Sequence, residues 1–260
     1  MKVVIIGSGN VATVLGRKMK ENGIDIVQLI SQNYNHAAEL GNFLKVPATD
    51  NFSELVLNAD FYMIAVTDAN ISMVAAQLPE LKGIVLHTAG SVSKDVLKNF
   101  SDQYGVVYPL QTLNKHLQSV PEIPVVIDGN TEAVKDAIKQ FTNTWADGVV
   151  NANDQQRLNT HVAAVIVNNF TNHLMALTED FCLKEGIDFS LLMPLIYQTV
   201  ENLGSMPASQ LQTGPAERGD ISTVDKHLQL LNRYPSLRNL YLKLSESIIN
   251  HKRKNSLGTF

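Results

Sequence analysis

The stretch Val3-Val4-Ile5-Ile6-Gly7-Ser8-Gly9-Asn10-Val11-Ala12-Thr13-Val14-Leu15 decides how the first part of this chain is read. Four apolar residues run into a glycine turn, and the turn runs into a segment with helical spacing. Gly7, Gly9 and Ala12 make the pattern G-x-G-x-x-A. The first glycine permits a tight turn, the second lets backbone approach a pyrophosphate, and a small third residue lets helix pack on strand. The helix start then offers unbonded N–H groups and positive dipole to phosphate. A strand before the turn, a helix after it and a second strand over Ile26–Ile30 supply the context the pattern requires. Gly7, Ser8, Gly9, Asn10 and Val11 are the expected diphosphate contacts, against the alternative of a plain strand–helix turn.

The bulk composition narrows the classes. The chain has 260 residues, 45% of them hydrophobic and 18% charged, with a formal net charge of −4. It reads as an ordinary soluble globular protein, long enough for one large domain or two modest ones. Basic residues are spread out, so neither a nucleic-acid nor a lipid surface is indicated. The short run His251-Lys252-Arg253-Lys254 reads as a solvated helix end. One cysteine, Cys182, excludes an internal disulfide and fits a reducing compartment, hence a cytoplasmic expectation. The apolar start is too brief for a signal peptide, and no apolar run reaches the roughly 18 residues of a membrane span. The spacings H-E-x-x-H and C-x-x-C are absent, and no metal site is expected.

Two rhythms follow along the chain. Short apolar runs at Val3–Ile6, Ile26–Ile30, Phe61–Val66, Ile84–Leu86, Val106–Tyr108, Val125–Ile127 and Val149–Val150 predict strands. Runs that are continuous rather than alternating predict strands covered on both faces, as in a parallel sheet. Helical segments are expected at Val11–Glu21, Asn35–Leu44, Ile71–Leu78 and Glu132–Asn143. Beyond Asn151 strand signals stop. Asp154–Glu185 lacks Gly and Pro and predicts one helix of about 30 residues, stopped by Gly186. Further helices are expected over Phe189–Leu203, Thr223–Asn232 and Ser236–Arg253. The fold class is a doubly wound, mostly parallel α/β Rossmann domain over 1–150, followed by an all-α domain over 151–260.

The second strand ends in Ser31-Gln32-Asn33, where sites for NAD usually carry an acid that holds the ribose 2′-hydroxyl. Ser31 and Gln32 can instead donate hydrogen bonds to a 2′-phosphate. NADP is therefore expected ahead of NAD, although the usual arginine is missing too. A deazaflavin would also be served by the same phosphate turn. Carboxyl ends of strands line the ligand crevice in such sheets. Val66, Thr67 and Asp68 are thus candidate cofactor contacts, with helix capping as the other reading of Asp68. His87, Thr88 and Ser91 after the next strand, and Gln111 after the one beyond, are candidate substrate contacts. Capping by Ser91 or Ser93 is the alternative there.

The segments GSGNVA, AVTDANI, LHTAGS, YPLQT, HVAAVIVNNF and GPAERGD span nearly the whole chain. In these the sequence resembles Rossmann-type NADP oxidoreductases related to pyrroline-5-carboxylate and ketopantoate reductases. More narrowly, it is similar to a family that adds a short helical domain of phosphogluconate-dehydrogenase type. The resemblance implies a cleft between domains, with cofactor on the first and substrate contacts from both. It also implies a homodimer built through the helical domain. It names no substrate.

Hydride transfer to C=O or C=N leaves a heteroatom that must be protonated or polarised. At about 100° per residue, one stripe of the long helix carries His161, Asn168, Asn172 and, further round, Asn169. Ile166, Val167, Phe170 and Leu174 take the other side. A polar stripe on an otherwise apolar helix needs partners or a cavity. In the related ketopantoate enzymes a lysine and asparagines face the substrate; by motif match His161 stands at the lysine and Asn169 at an asparagine. His161 is the candidate general acid and Asn169 the candidate for orienting substrate, against a buried structural histidine. Arg218, in the loop Thr213–Asp220, could grip a carboxylate with its planar fork. Asp220 could orient Arg218 or cap the next helix, and Ser222 with Asp225 also fits a capping box. His116 and His227 read as surface or structural, and Met193 and Met206 as core or interface. The expected activity is an NADP-dependent reduction of a small carbonyl or imine. Its rival is a non-catalytic module that senses or presents NADP(H).

Overall fold

A computed structural model describes residues 1–116 and 119–257, with side chains as far as Lys252. The chain divides into two compact units, residues 1–168 and 169–260.

The first unit is built on a sheet whose eight strands, among the described residues, run in the order β3-β2-β1-β4-β5-β6-β7-β8. They are β1 (Lys2–Ile6), β2 (Asp25–Ile30), β3 (Ala48–Thr49), β4 (Phe61–Ile64), β5 (Ile84–His87), β6 (Tyr104–Pro109), β7 (Pro124–Gly129) and β8 (Gly148–Asn151). All neighbours are parallel except β6 and β7. Helices α1 (Asn10–Glu21), α2 (Tyr34–Leu44), α3 (Ile71–Ala75) and α4 (Glu132–Thr142) lie between strands.

The continuous apolar runs have the cause expected of them. Side chains alternate between faces along a strand, and both faces are covered. Val3 and Ile5 of β1 join one core with Leu15, Leu40, Ile138 and Phe141, whereas Val4 and Ile6 join a second with Ile71, Val74 and Leu97. Phe61 stacks on Phe141 at 4.3 Å between ring centroids, which seats α4 against the sheet. Strand β1 lies between β2 and β4, so the chain turns first to one side and then to the other. That reversal puts the switch point of the fold at the carboxyl end of β1, beside Gly7.

Strand β8 ends at Asn151, and α5 (Asp154–Ala164) groups with the sheet. The single long helix expected from Asp154 to Glu185 is interrupted. A π-helical segment, Val165–Phe170, separates α5 from α6 (Thr171–Glu185). Bonds from i to i+5 turn the chain less per residue, so an α-helical wheel loses register beyond Ala164. The stripe that joined His161 to Asn168, Asn169 and Asn172 at about 100° per residue is therefore not the geometry of this segment. The strand β3, two residues long, was also missed.

The second unit carries α6, then α7 (Met193–Asn202), α8 (Pro215–Arg218), α9 (Ile221–Leu230) and α10 (Pro235–Leu257). Gly186 stops α6 in the left-handed conformation at φ 68°, as a C-terminal glycine does. Asp220 caps α9 by accepting from the Thr223 N–H at 3.1 Å, in place of the box expected from Ser222 and Asp225. Its buried apolar side chains, among the described residues, are Cys182, Ala216, Val224 and Leu231. Phe170, Leu183, Leu191, Leu195, Val200 and Leu203 are exposed.

Candidate functional site

The ends of β1, β2 and β4 surround a cavity of about 620 Å³. Gly7 sets its inner corner. Its N–H donates to Ile30 O at 2.7 Å, its φ is +129°, and a Cβ built there would lie 2.2 Å from the carbonyl oxygen of Ala65. Only glycine lets β1 turn out of the sheet this close to both neighbours. Gly9 is the N-cap of α1, with no side-chain cap and no acid in the first turn. The first amides of α1 therefore keep their capacity for an anion, and the helix dipole favours one there. Asn10 Oδ1 accepts from the backbone N–H of Lys115 at 3.2 Å, bringing the chain after β6 over the start of α1.

Ser8, Asn10 and Val11 line the cavity with Gly7 and Gly9; Ser31 and Gln32 line a second side, and Val66, Thr67 and Asp68 a third. Every residue expected at the cofactor thus borders one space. Ser8 Oγ and Ser31 Oγ are 2.8 Å apart and hydrogen-bond to each other between the first two strand ends. His36, Phe52 and Asn70 border the same space and were missed. Asn33 caps α2 by accepting from the His36 N–H at 3.2 Å, and α2 has no acid in its first turn. The side of the cavity where an NAD site would carry a carboxylate instead presents hydroxyl, amide and imidazole groups. These residues fit a dinucleotide with a 2′-phosphate: glycine cradle, uncapped helix start, and no carboxylate at Ser31, Gln32 or Asn33.

Asp68 does not cap a helix. Its Oδ2 accepts from Ser91 Oγ at 2.5 Å, which ties the cavity wall to the loop after β5. Ser93 supplies the capping role that the sequence left open between two serines, by accepting from the Asp95 N–H at 3.2 Å. Thr88 is buried and donates weakly toward Ile64 O at 3.5 Å. Gln111 spans its own loop, donating to Glu122 O at 3.0 Å and accepting from the Thr112 N–H at 2.8 Å.

His87 is fully buried. Its Nδ1 accepts from the Ala89 N–H at 3.2 Å and its Nε2 lies 3.3 Å from Ser93 O. Both nitrogens are used by backbone, so the ring holds the loop 87–93 rather than offering itself to a ligand. Burial first, and then the Arg157 charge, pull its pKa down to about 4, against the opposing pull of Ser93 O, Asp154 and Asp68. Between the ordinary imidazole value of 6.5 and about 4 the unfolded chain binds this proton and the folded one does not. Stability from His87 is therefore complete above pH 6.5 and is lost as pH falls toward about 4, a total of about 3 kcal/mol. Urea titrations at pH 7 and pH 5 should differ by about 2 kcal/mol from this group, and His87→Gln should remove that part of the slope. An unchanged slope in the variant would refute the assignment.

Two groups the sequence did not single out complete the surroundings. Tyr108, at the end of β6, places its Oη 3.0 Å from His161 Nδ1, with the rings edge to face at 5.7 Å. Arg157, one turn before His161, is 1% exposed and bonds Val92 O at 2.5 Å and Asp154 Oδ1 at 2.8 Å. Asp154 also accepts from Ser93 Oγ and from the Lys94 N–H at 3.2 Å, so α5 is riveted to the segment after β5. Neither Tyr108–His161 nor Ser93–Asp154 has a spacing that a sequence pattern detects. Asn168 donates to Thr112 Oγ1. In the second unit Asn169 and Arg218 are exposed, and Asp220 is committed to its cap. Among the described residues no cluster of His, Cys, Asp and Glu suits a metal, and no helix is long and apolar enough to cross a membrane.

Comparison with known proteins places the fold and its cofactor class. Residues 2–89 match the family described as NADP oxidoreductase, coenzyme F420-dependent, and residues 123–248 match a domain of unknown function, DUF2520. No curated protein sequence matches the chain. A pyrroline-5-carboxylate reductase from Streptococcus pyogenes shares the fold at TM-score 0.64 and 16% identity, over 96% of this chain and 98% of the other. So does a reductive aminase from Aspergillus terreus solved with NADPH and ethyl 5-oxohexanoate, at TM-score 0.73 and 11% identity, over 97% and 94%. A protein from Bacteroides fragilis, an NADP oxidoreductase by assignment, superposes at TM-score 0.87 with 31% identity over 96% of this chain and 98% of its own. At that identity over almost the full length of both chains, with the glycine cradle and the acid-free second strand end in place, the chain belongs to this family of Rossmann-type NADP oxidoreductases.

Proposed function

We propose that the protein reduces a small carbonyl or imine with NADPH at the carboxyl edge of the sheet. The observation that carries this reading is the link from the cofactor cavity, through Asp68 and Ser91, to the loop that touches Tyr108 and His161. Gly7, Ser8, Gly9, Asn10 and Val11 hold the diphosphate, and Ser31 and Gln32 donate to the 2′-phosphate. Val66, Thr67 and Asp68 run beside the nicotinamide half. His161 is the source of the proton. Thr88, Ser91, Gln111, Asn169 and Arg218 are the proposed groups for holding substrate, while His87 and Asp220 position the segments that carry them. We also assign the exposed apolar residues of the helical unit to a second copy of the chain. A unit with so few buried apolar side chains lacks the hydrophobic driving force to stand alone.

Thermal unfolding and turnover test this together. NADPH at about 100 times its Kd should add about 2.7 kcal/mol, a rise of about 5–10 °C at this size, with a smaller shift from NADH. NADPH absorbance should then fall with a member of a panel of 2-keto acids and cyclic imines, in a sample that sediments as a dimer. No shift with either nucleotide would end the cofactor assignment. A shift without turnover on the whole panel would return the protein to a nucleotide-sensing module.

A further inference from the structure

Resting on that reading, we infer that Tyr108 is the group that hands the proton to the substrate, with His161 refilling it from solvent.

The placement comes from three elements meeting. Residues 85–87 of β5 pair in parallel with 104–106 of β6, so Tyr108 stands two residues past the last paired position, beyond the carboxyl end of β5. Gly90 lies directly against the pair. A Cβ built on it would fall 2.9 Å from His161 Nδ1 and 2.9 Å from both Cε2 and Cζ of Tyr108. The next residue, Ser91, is bonded to Asp68 on the cofactor cavity wall. Tyr108 is therefore joined to the cavity wall through Gly90, Ser91 and Asp68. Its hydroxyl bonds to a histidine that is half-buried and open to water on one side.

The two groups suit different parts of a proton transfer. Burial first, and then the Asp68 charge, raise the Tyr108 phenol above its ordinary value, so the hydroxyl is protonated before the substrate binds. An imidazole is the side chain suited to exchange protons with water near neutrality. Tyr108 from β6 bonds His161, Asp68 beyond Ser91 acts on the Tyr108 phenol, and His87 ends β5. Arg157 and Asp154 lie on its own helix. Arg157 and Asp154 are paired with each other, His87 is neutral near pH 7, and the Asp68 charge acts on Tyr108.

The step balances as follows. The substrate carbon receives a hydride, with its two electrons, from NADPH. The π pair of the C=O or C=N bond moves to the heteroatom, which takes the Tyr108 Oη proton. Oη recovers a proton from Nδ1–H of the His161 imidazolium, and His161 takes one from water. The sum consumes one NADPH and one solvent proton for each alcohol or amine formed.

The test uses the full chain with two probes, 2-oxobutanoate and 2-methyl-1-pyrroline, each with NADPH. Tyr108→Phe keeps the ring against Gly90 and removes only the hydroxyl. It should lower kcat about 100-fold on the probe the wild type reduces, while the NADPH thermal shift stays as in the wild type. His161→Gln leaves the phenol in place, so it should cut kcat less and flatten the pH profile of kcat, which a purely structural histidine would not do. Turnover by Tyr108→Phe within twofold of the wild type overturns the donor assignment alone. Absence of wild-type turnover on both probes removes the proposed reaction, and the donor with it.

Discussion

Replacing Gly7 with alanine should destabilise the protein by about 3 kcal/mol or more, with loss of the NADPH response. Two costs add at this residue. Its φ of +129° lies where L side chains rarely go, and a methyl group would sit 2.2 Å from Ala65 O. That oxygen is backbone at the end of a central strand, so it cannot swing aside. Either β1 and β4 separate or the turn changes course, and both displace the amides at the start of α1. Gly9→Ala separates folding from binding. Its φ is an ordinary −81° and a Cβ there meets nothing within 4 Å. That variant should melt like the wild type and bind NADPH more weakly, because the proposed approach of the diphosphate relies on bare backbone at Gly9. Equal melting temperatures for wild type and Gly7→Ala would show that the cradle does not depend on this close approach.

Asp154→Ala should cost about 3 kcal/mol, because removing this partly exposed carboxylate strands the buried Arg157 guanidinium. The guanidinium of Arg157 is almost wholly inside, and its Nε and Nη1 have no partner among the described residues. Asp154 is the carboxylate it bonds, at 2.8 Å. Burial pushes the Asp154 carboxyl up, but the Ser93 hydroxyl, Arg157 and the Lys94 N–H together outweigh it and hold the pKa below the ordinary 3.8. A depressed carboxylate stabilises the fold above its unfolded pKa, and that stability is lost as pH falls through the folded value. Acid should therefore weaken the wild type at this site only below about pH 4, after the His87 effect has run its course. Asp154→Asn keeps one acceptor oxygen for the Lys94 N–H and Arg157 but loses the charge and the acceptor for Ser93, and should fall between wild type and alanine. Chemical denaturation of the three proteins at pH 7 is the measurement; alanine and wild type with equal midpoints would refute the account.

How far the chain could be read by eye depended on the range of the forces involved. The strands at Val3–Ile6, Ile26–Ile30 and Phe61–Val66 announced themselves because buried parallel strands need apolar side chains at every position. The turn at Gly7-Ser8-Gly9 announced itself because glycine is the residue that can stand there. By contrast β3 is only Ala48–Thr49, too short for any periodicity. The π segment at Val165–Phe170 has no Gly or Pro to mark it, so a continuous helix was the natural expectation, and the wheel drawn on it failed beyond Ala164.

The sequence by itself determined the local matters: which segments are strand or helix, where a phosphate can approach backbone, and that no carboxylate waits for a ribose hydroxyl at Ser31-Gln32-Asn33. Tertiary structure alone decided which side chains face one another. Tyr108 and His161 meet across 53 positions, Ser93 and Asp154 across 61, and Ser91 and Asp68 across 23. Such pairs are chosen by strand order and by how helices settle on the sheet. That depends on the packing of the whole unit, and no window of neighbouring residues contains it.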